Sequence, residues 1–395
     1  MSSSSGRTPH PSRQRTGRRP SRRRTGRPTP RPGPRRRPPP GRRRAAPSTR
    51  VRATSPPVEV LPRSSSDPLR PRSRNLHTRC AVRGYPRADR ARDDACVSHS
   101  AFVRDAVLAW FDVHARDLPW RAADRTPWGV LVSEVMLQQT PVVRVAPAWR
   151  AWMDRWPEPG DLARAGTDDV LRAWDRLGYP RRALRLQDCA RTVVERHDGV
   201  VPASEAELLA LPGVGAYTAA AVMAFAHGRR SVVLDTNVRR VLARAAAGVA
   251  LPAPSQTVAE LRLAESFVPV DDALAARWAA ASMELGALVC RARAPRCDAC
   301  PLAHLCAWRS AGHPPDAHAA RRRTQPWAGT DRQVRGRVMA LLREALSPVP
   351  DAAVDAVWPD VRQLDRCVDG LVTDGLVARI PGPGPDDPVT YRLPA

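Results

Sequence analysis

The sequence has no lysine; all 64 of its basic residues are arginine. GC-rich coding accounts for the bias and fits the abundance of alanine and proline, but the chemical consequence does not depend on the cause. No side-chain amine is available, so any mechanism that needs a lysine imine is excluded. Long apolar runs are also missing. No stretch reaches the roughly 20 residues of a membrane span, and no secretory signal peptide is visible. The chain reads as soluble and cytoplasmic, with no membrane partner. Acidic residues are scarce at one end: residues 1–95 hold 27 Arg against Glu59, Asp67, Asp89, Asp93 and Asp94. That segment carries +22 of the formal net charge of +25, which leaves the other 300 residues close to neutral.

Residues 1–95 lack apolar periodicity and are rich in Pro, Ser and Thr. They cannot bury enough surface to offset chain entropy, and they read as a disordered tail. Three readings of it stay open. Clustered arginine attracts phosphate without sequence preference, as in a nucleic-acid-binding arm. A composition rich in Arg and Ser and poor in acids resembles an organellar transit peptide, although the prolines oppose an amphipathic helix. The third reading is a start codon assigned too far upstream, with initiation near Val97.

From about Phe102 the pattern turns helical. Phe102, Ala106, Ala109, Trp110 and Val113 recur at three- and four-residue spacing and predict the buried face of a first helix ending before Pro119. Two more helices are predicted on either side of Gln139–Pro141. Thr167 is a predicted N-cap, and Ser204 with Glu207 matches a capping box. Further helices are predicted over 216–227, 236–247, 257–266 and 271–289. No convincing strand precedes residue 370, so the fold class is all-α, with a core over 98–309. A linker follows over 310–330. Residues 331–395 read as three helices and a β-hairpin, a winged-helix-like module.

Of the eight cysteines, Cys290, Cys297, Cys300 and Cys306 crowd into "CRARAPRCDACPLAHLC" with the spacing C-x6-C-x2-C-x5-C. Four thiolates so close suit a tetrahedral zinc or an iron–sulfur cluster, and the single C-x2-C step favours the cluster. Cys80, Cys96, Cys189 and Cys367 are scattered and read as ordinary thiols. Arg291, Arg293 and Arg296 make the cysteine loop a basic protrusion suited to phosphate. "LPGVG", formed by Leu211, Pro212, Gly213, Val214 and Gly215, reads as the turn of a helix-hairpin-helix. Its glycines let a DNA backbone approach the N-terminus of the following helix; a tight turn alone would also need glycine.

Two carboxylates stand out. Glu134 lies inside the apolar "SEVMLQQT", where burial would raise its pKa and let it hold a proton near neutrality. Asp235 precedes a helix in "VVLDTNVRR", where an ordinary N-cap is the alternative. A protonated acid paired with an ionised carboxylate is the requirement for cleaving a glycosidic bond.

With these residues in place, the segment from about 98 to 306 resembles the helix-hairpin-helix iron–sulfur DNA glycosylases, and among them the MutY-type adenine glycosylases. The resemblance rests on "LPWR" (118–121), "SEVMLQQT" (133–140), "LGY" (177–179), "LPGVGAYT" (211–218), "LDTNVRR" (234–240), "MELGALVC" (283–290) and the four cysteines. It implies a two-lobed glycosylase core and a monofunctional enzyme of base excision repair that removes adenine mispaired with 8-oxoguanine or guanine. Glu134 would protonate the flipped adenine, Asp235 would stabilise the oxocarbenium-like sugar, Asn237 would hold Asp235, and Tyr217 would sit beside the sugar. Gln139 and Thr140 would face the oxidised guanine and Tyr179 would wedge into the base stack. Arg116, Leu118, Trp120 and Arg121 would line the adenine pocket, and the cysteines would hold a [4Fe–4S] cluster. The implied partner is duplex DNA containing mismatched adenine, bound by a monomer at the bacterial nucleoid.

The chain departs from the family in three places. Thr236 stands where glycine is frequent, Pro180 where a second tyrosine is common, and residues 310–395 are too short and too helical for the Nudix-like β domain that reads 8-oxoguanine. The winged-helix-like module takes its place, as in shorter actinobacterial members. An endonuclease III-like enzyme acting on oxidised pyrimidines would carry lysine at the Tyr217 position, which a lysine-free chain cannot supply. A non-catalytic DNA-binding protein with a structural metal would need neither Glu134 nor Asp235.

Overall fold

A computed structural model describes residues 90–322, 327–384 and 387–395, with the side chains before His99 left out. The arginine-rich tail, Cys80, the Cys96 thiol and part of the 310–330 linker lie outside the described residues. One lobe of the core is built from α2 (Pro127–Leu137), α3 (Val142–Arg155), α4 (Pro159–Arg164), α5 (Thr167–Trp174), α6 (Arg181–His197), α7 (Glu205–Leu209) and α8 (Ala216–Phe225). The other combines α1 (Arg90–His114) with α9 (Thr236–Ala245), α10 (Val258–Phe267), α11 (Asp272–Leu288) and α12 (Ala307–Ser310). No described helix is long and apolar enough to cross a membrane.

Each lobe has its own apolar centre. Trp128, Trp152, Trp156 and Trp174 anchor the first, with edge-to-face contacts of Trp152 on Trp156 and Trp174. Val103, Val107, Leu242, Phe267, Trp278 and Leu285 fill the second. Small residues of α8 and α11, such as Ala220, Ala224 and Ala279, join them closely. The N-terminal end of α8 and that of α9 thereby come together between the lobes.

Three local expectations are corrected. Phe102 and Val113 are exposed, and α1 instead buries Val103, Val107 and Leu108, one residue out of phase. Thr167 lies inside α5 behind Gly166, and its hydroxyl donates to Gln187 Oε1 at 3.3 Å rather than capping. Ser204 does cap α7, but the Glu207 carboxylate accepts from the serine's hydroxyl rather than from its backbone N–H. Cys189 and Cys367 are buried thiols, and burial pushes Cys189 up to about 12.

Residues 331–395 form α13 (Asp331–Glu344), α14 (Asp351–Asp355) and α15 (Val361–Thr373), with β1 (Val349–Pro350), β2 (Ala378–Ile380) and β3 (Thr390–Arg392). The strands make an antiparallel sheet in the order β1–β3–β2. The expected hairpin is β2–β3, and β1, too short to show in the sequence, adds a third strand. The module's core, including Val334, Val338, Leu364, Leu371 and Tyr391, is continuous with that of the first lobe.

Candidate active site

Glu134 sits in α2 between Ser133 and Val135, and only 4% of it is exposed. Its Oε2 accepts a 2.9 Å hydrogen bond from the Tyr217 hydroxyl, which reaches across from the first turn of α8. Burial pushes Glu134 up to about 7; the tyrosine hydroxyl holds it down, and the neighbouring negative charge of Asp235 adds to the rise. The same burial and the two carboxylates push Tyr217 well above its ordinary range, so its proton stays on oxygen.

Asp235 is the N-cap of α9. Its Oδ1 accepts from the backbone N–H of Asn237 (2.8 Å) and Val238 (2.7 Å), and its Oδ2 accepts from Asn237 Nδ2 at 2.6 Å. Burial moves it above the usual carboxylate range against the pull of these donors and of Arg240. Three N–H donors at a helix N-terminus favour the anion, whereas Glu134 receives a single O–H. The pair is therefore biased towards one proton, carried by Glu134.

Asn237 is itself held. Buried Arg240 donates to Asn237 Oδ1 (2.8 Å), to the Gly286 carbonyl (2.7 Å) and to the Cys290 carbonyl (2.6 Å). Gly286 is obligatory because a Cβ there would lie 2.6 Å from Asn237 Cβ.

Arg116 and Arg121 converge on a residue the motifs did not single out. Fully buried Glu284 accepts from Arg116 Nε at 2.6 Å and Nη2 at 2.9 Å, and from Arg121 Nη2 at 3.0 Å. Burial would raise Glu284, but these arginines keep it below the ordinary carboxylate range. Arg121 also acts on Glu134 through its charge, and its Nη1 is buried without a partner among the described residues. Leu118 and Trp120 are buried in the core of the first lobe, where Trp120 packs edge-on against Trp149.

Gln139 and Tyr179 lie on neighbouring loops, both exposed and both with left-handed backbones (φ 57° and 48°). One side chain binds the loops together. Arg182 donates to the carbonyls of Val135 (2.8 Å), Met136 (3.1 Å) and Gln138 (2.6 Å) on one side and of Leu177 (3.1 Å) and Gly178 (2.9 Å) on the other. Burial lowers its pKa to about 10. Thr140 is buried, and its hydroxyl is engaged with the Leu177 carbonyl at 3.1 Å and with Arg182; only Gln139 of that pair faces outward.

In the hairpin, Leu211 and Val214 point into the core and support the turn, while Gly213 (φ 79°) and Gly215 are exposed. Gly215 caps α8 without a side chain, which leaves the first N–H groups of the helix available to an anion.

Cys290, Cys297, Cys300 and Cys306 border one small hollow, with Val289, Pro295 and Ala303 making it largely apolar. Arg244, stacked on Trp308, donates to Cys290 Sγ at 3.4 Å. Burial pushes Cys300 up to about 12 and raises Cys306, so these thiols ionise when a cationic centre pairs them. Four thiols in an apolar wall with a sulfur-directed arginine fit an iron–sulfur cluster. Arg293 and Arg296 are exposed on this loop, whereas Arg291 is half-buried and donates to the Ala294 carbonyl.

Residues 132–266 match the model of the HhH-GPD superfamily of base excision DNA repair proteins, and residues 290–306 match that of the iron–sulfur binding domain of endonuclease III. The chain is 52% identical over 272 residues to the adenine DNA glycosylase of Mycolicibacterium smegmatis, covering 69% of this chain and 91% of that protein. It is 49% identical over 274 residues to the adenine DNA glycosylase of Mycobacterium tuberculosis, with 69% and 89% covered. Among solved structures, a thermostable thymine-DNA glycosylase aligns over 55% of this chain and all of that one, with a TM-score of 0.50 at 27% identity.

Proposed function

Because this chain belongs to the adenine DNA glycosylases of the helix-hairpin-helix superfamily, we propose that it excises adenine opposite 8-oxoguanine or guanine, using Glu134 as acid and Asp235 as anion. The enzyme is a hydrolytic DNA glycosylase of base excision repair with a [4Fe–4S] cofactor. The observation that carries the site assignment is the unequal solvation of two buried carboxylates, one facing a tyrosine hydroxyl and the other three N–H groups.

Protonated Glu134 delivers its proton to a ring nitrogen of the flipped adenine, and the glycosidic electrons leave with the base. Asp235, fixed by Asn237, offsets the positive charge left on the sugar until water adds. Tyr217 keeps the Glu134 carboxyl oriented and supplies no nucleophilic amine, so the strand stays closed after base removal. Arg121, whose Nη1 has no partner among the described residues and whose charge acts on Glu134, is the member of the 116–121 segment with a group to offer the base; Leu118 and Trp120 act by packing.

Gly213, Gly215, the first turn of α8, Gln139, Tyr179, Arg293 and Arg296 form the DNA-contacting set. Leu211, Pro212, Val214, Thr140 and Arg291 shape it. Cys290, Cys297, Cys300 and Cys306 would hold the cluster, which when bound keeps the arginine-bearing loop in shape. The protein works as a monomer at the bacterial nucleoid. Base-release kinetics on duplexes that differ only in the base opposite adenine test the reading: release should be fastest opposite 8-oxoguanine and slower opposite guanine, and release indifferent to the opposing base would overturn the mismatch assignment.

A further inference from the structure

The C-terminal module has the fold of a DNA reader but not its charge. Residues 331–395 contain 8 Arg and 10 acids. On α15, the helix that such a module would present to a groove, Asp365 and Asp369 are exposed, and Arg366 is paired with Asp331 at 3.1 Å. Arg379 on β2 is likewise paired with Asp369 at 2.5 Å. Although Arg362 on α15 is also exposed, a module with more acids than arginines has little general pull on phosphate.

One place on the module differs. The Arg332 guanidinium, in the first turn of α13, lies 5.1 Å from the Tyr179 ring centre and 5.0 Å from that of Trp327. It lies against both aromatic rings, and both remain open to solvent: Tyr179 is 42% exposed and Trp327 53%. Large aromatics are seldom left so bare. The turn bearing Trp327 is fixed, since the Thr330 hydroxyl donates to the Trp327 carbonyl (2.8 Å) and Gln363 Nε2 to the Gly329 carbonyl (3.1 Å). The Arg182 guanidinium, 5.7 Å from the Tyr179 ring, also holds it. The stack is not needed as glue, because the module is already docked by Arg181 on Asp374 (3.2 Å) and by Arg172 on the Arg343 carbonyl.

We propose that the Tyr179–Arg332–Trp327 stack is a composite wedge for duplex DNA, in which the C-terminal module braces Tyr179 and adds Trp327 as a second base-stacking surface. The inference rests on the base-excision reading above. Exposed aromatics beside a guanidinium are suited to unstacked bases, which any sequence offers. Arg332 is a positioning residue. Its planar group contacts both rings and stiffens a tyrosine whose left-handed backbone is already strained. This gives the module a role in opening the duplex that does not depend on a basic surface.

The test uses the full chain and a duplex carrying 2-aminopurine beside the target adenine, whose fluorescence rises when that base step opens. Arg332→Ala and Trp327→Ala should each weaken duplex binding by about tenfold, the worth of one base stacked on an aromatic ring, and reduce the fluorescence rise. Melting midpoints should move by no more than about 2 °C, as for surface changes. Arg332→Lys keeps the charge but not the planar stack and should behave like Arg332→Ala. The proposal is overturned if the variants open the step as the wild type does, or if Arg332→Lys restores opening in full, which would reduce Arg332 to a phosphate contact. Adenine release is followed in the same samples. A wild type that opens DNA without releasing adenine contradicts the base-excision reading, whereas variants that open the step like an active wild type contradict this one.

Discussion

The Tyr217 hydroxyl donates to Glu134 Oε2 at 2.9 Å, joining α8 to α2 at the floor of the site. This contact opposes burial: it favours the charged form of a carboxyl that desolvation drives towards neutrality. The residual pKa of about 7 places the acid where a cell can use it.

The first prediction concerns pH. Excision needs protonated Glu134 and ionised Asp235, so single-turnover release should peak between their titrations and fall as pH rises through about 7. Glu134→Gln should lower release by on the order of a thousandfold. Its stability should move the other way. A carboxyl raised from 4.5 to about 7 contributes stability that is present below pH 4.5 and lost as pH climbs to 7. Glu134→Gln should therefore be more stable than wild type at pH 8, by on the order of 3 kcal/mol, and much less so at pH 4.5. Denaturant melts at the two pH values check this; an equal difference at both would contradict it.

Tyr217→Phe removes the only side-chain hydrogen bond, among the described residues, that holds Glu134 down. The alkaline limb of the rate profile should shift to higher pH, and the maximal rate should fall by about tenfold to a hundredfold, the worth of one hydrogen bond to a charged group. A limb that shifts to lower pH would contradict the arrangement.

The site was legible in the sequence wherever a residue type is chemically odd for its surroundings. Glu134 showed itself as a carboxylate in an apolar helix, and the same argument applied to Glu284 in "MELGALVC" would have found the acid that binds Arg116 and Arg121. Arg182 was not legible. Its role lies in backbone carbonyls from two loops, and the only local sign is a pair of arginines opening α6 after "LGYP". The phase of α1 does not follow from its own residues because alanines fit either face, and burial of Val103 and Val107 is settled by α10 and α11 rather than by the helix itself. The hairpin residues divide for a related reason: a motif names Leu211 and Val214 beside Gly213 and Gly215 but does not say which of them face inward.

Gly286→Ala should disturb the site from behind. The new methyl would lie 2.6 Å from Asn237 Cβ and 2.8 Å from its carbonyl oxygen, and neither can rotate away. Overpacking of this kind costs about 1–3 kcal/mol. Thermal melting should show that loss, and base release should fall further than stability alone explains, because Asn237 is displaced from Asp235. An unchanged melting temperature with full activity would mean that α9 and α11 separate freely.

The most direct test of the account is adenine release from an adenine:8-oxoguanine duplex by the wild type and by Asp235→Asn in parallel, with the strand examined before and after alkali. The account predicts free adenine and a strand that breaks only on alkali treatment for the wild type. For Asp235→Asn it predicts no release, with duplex binding largely intact. Release by Asp235→Asn at the wild-type rate, or a strand nicked without alkali, would contradict it.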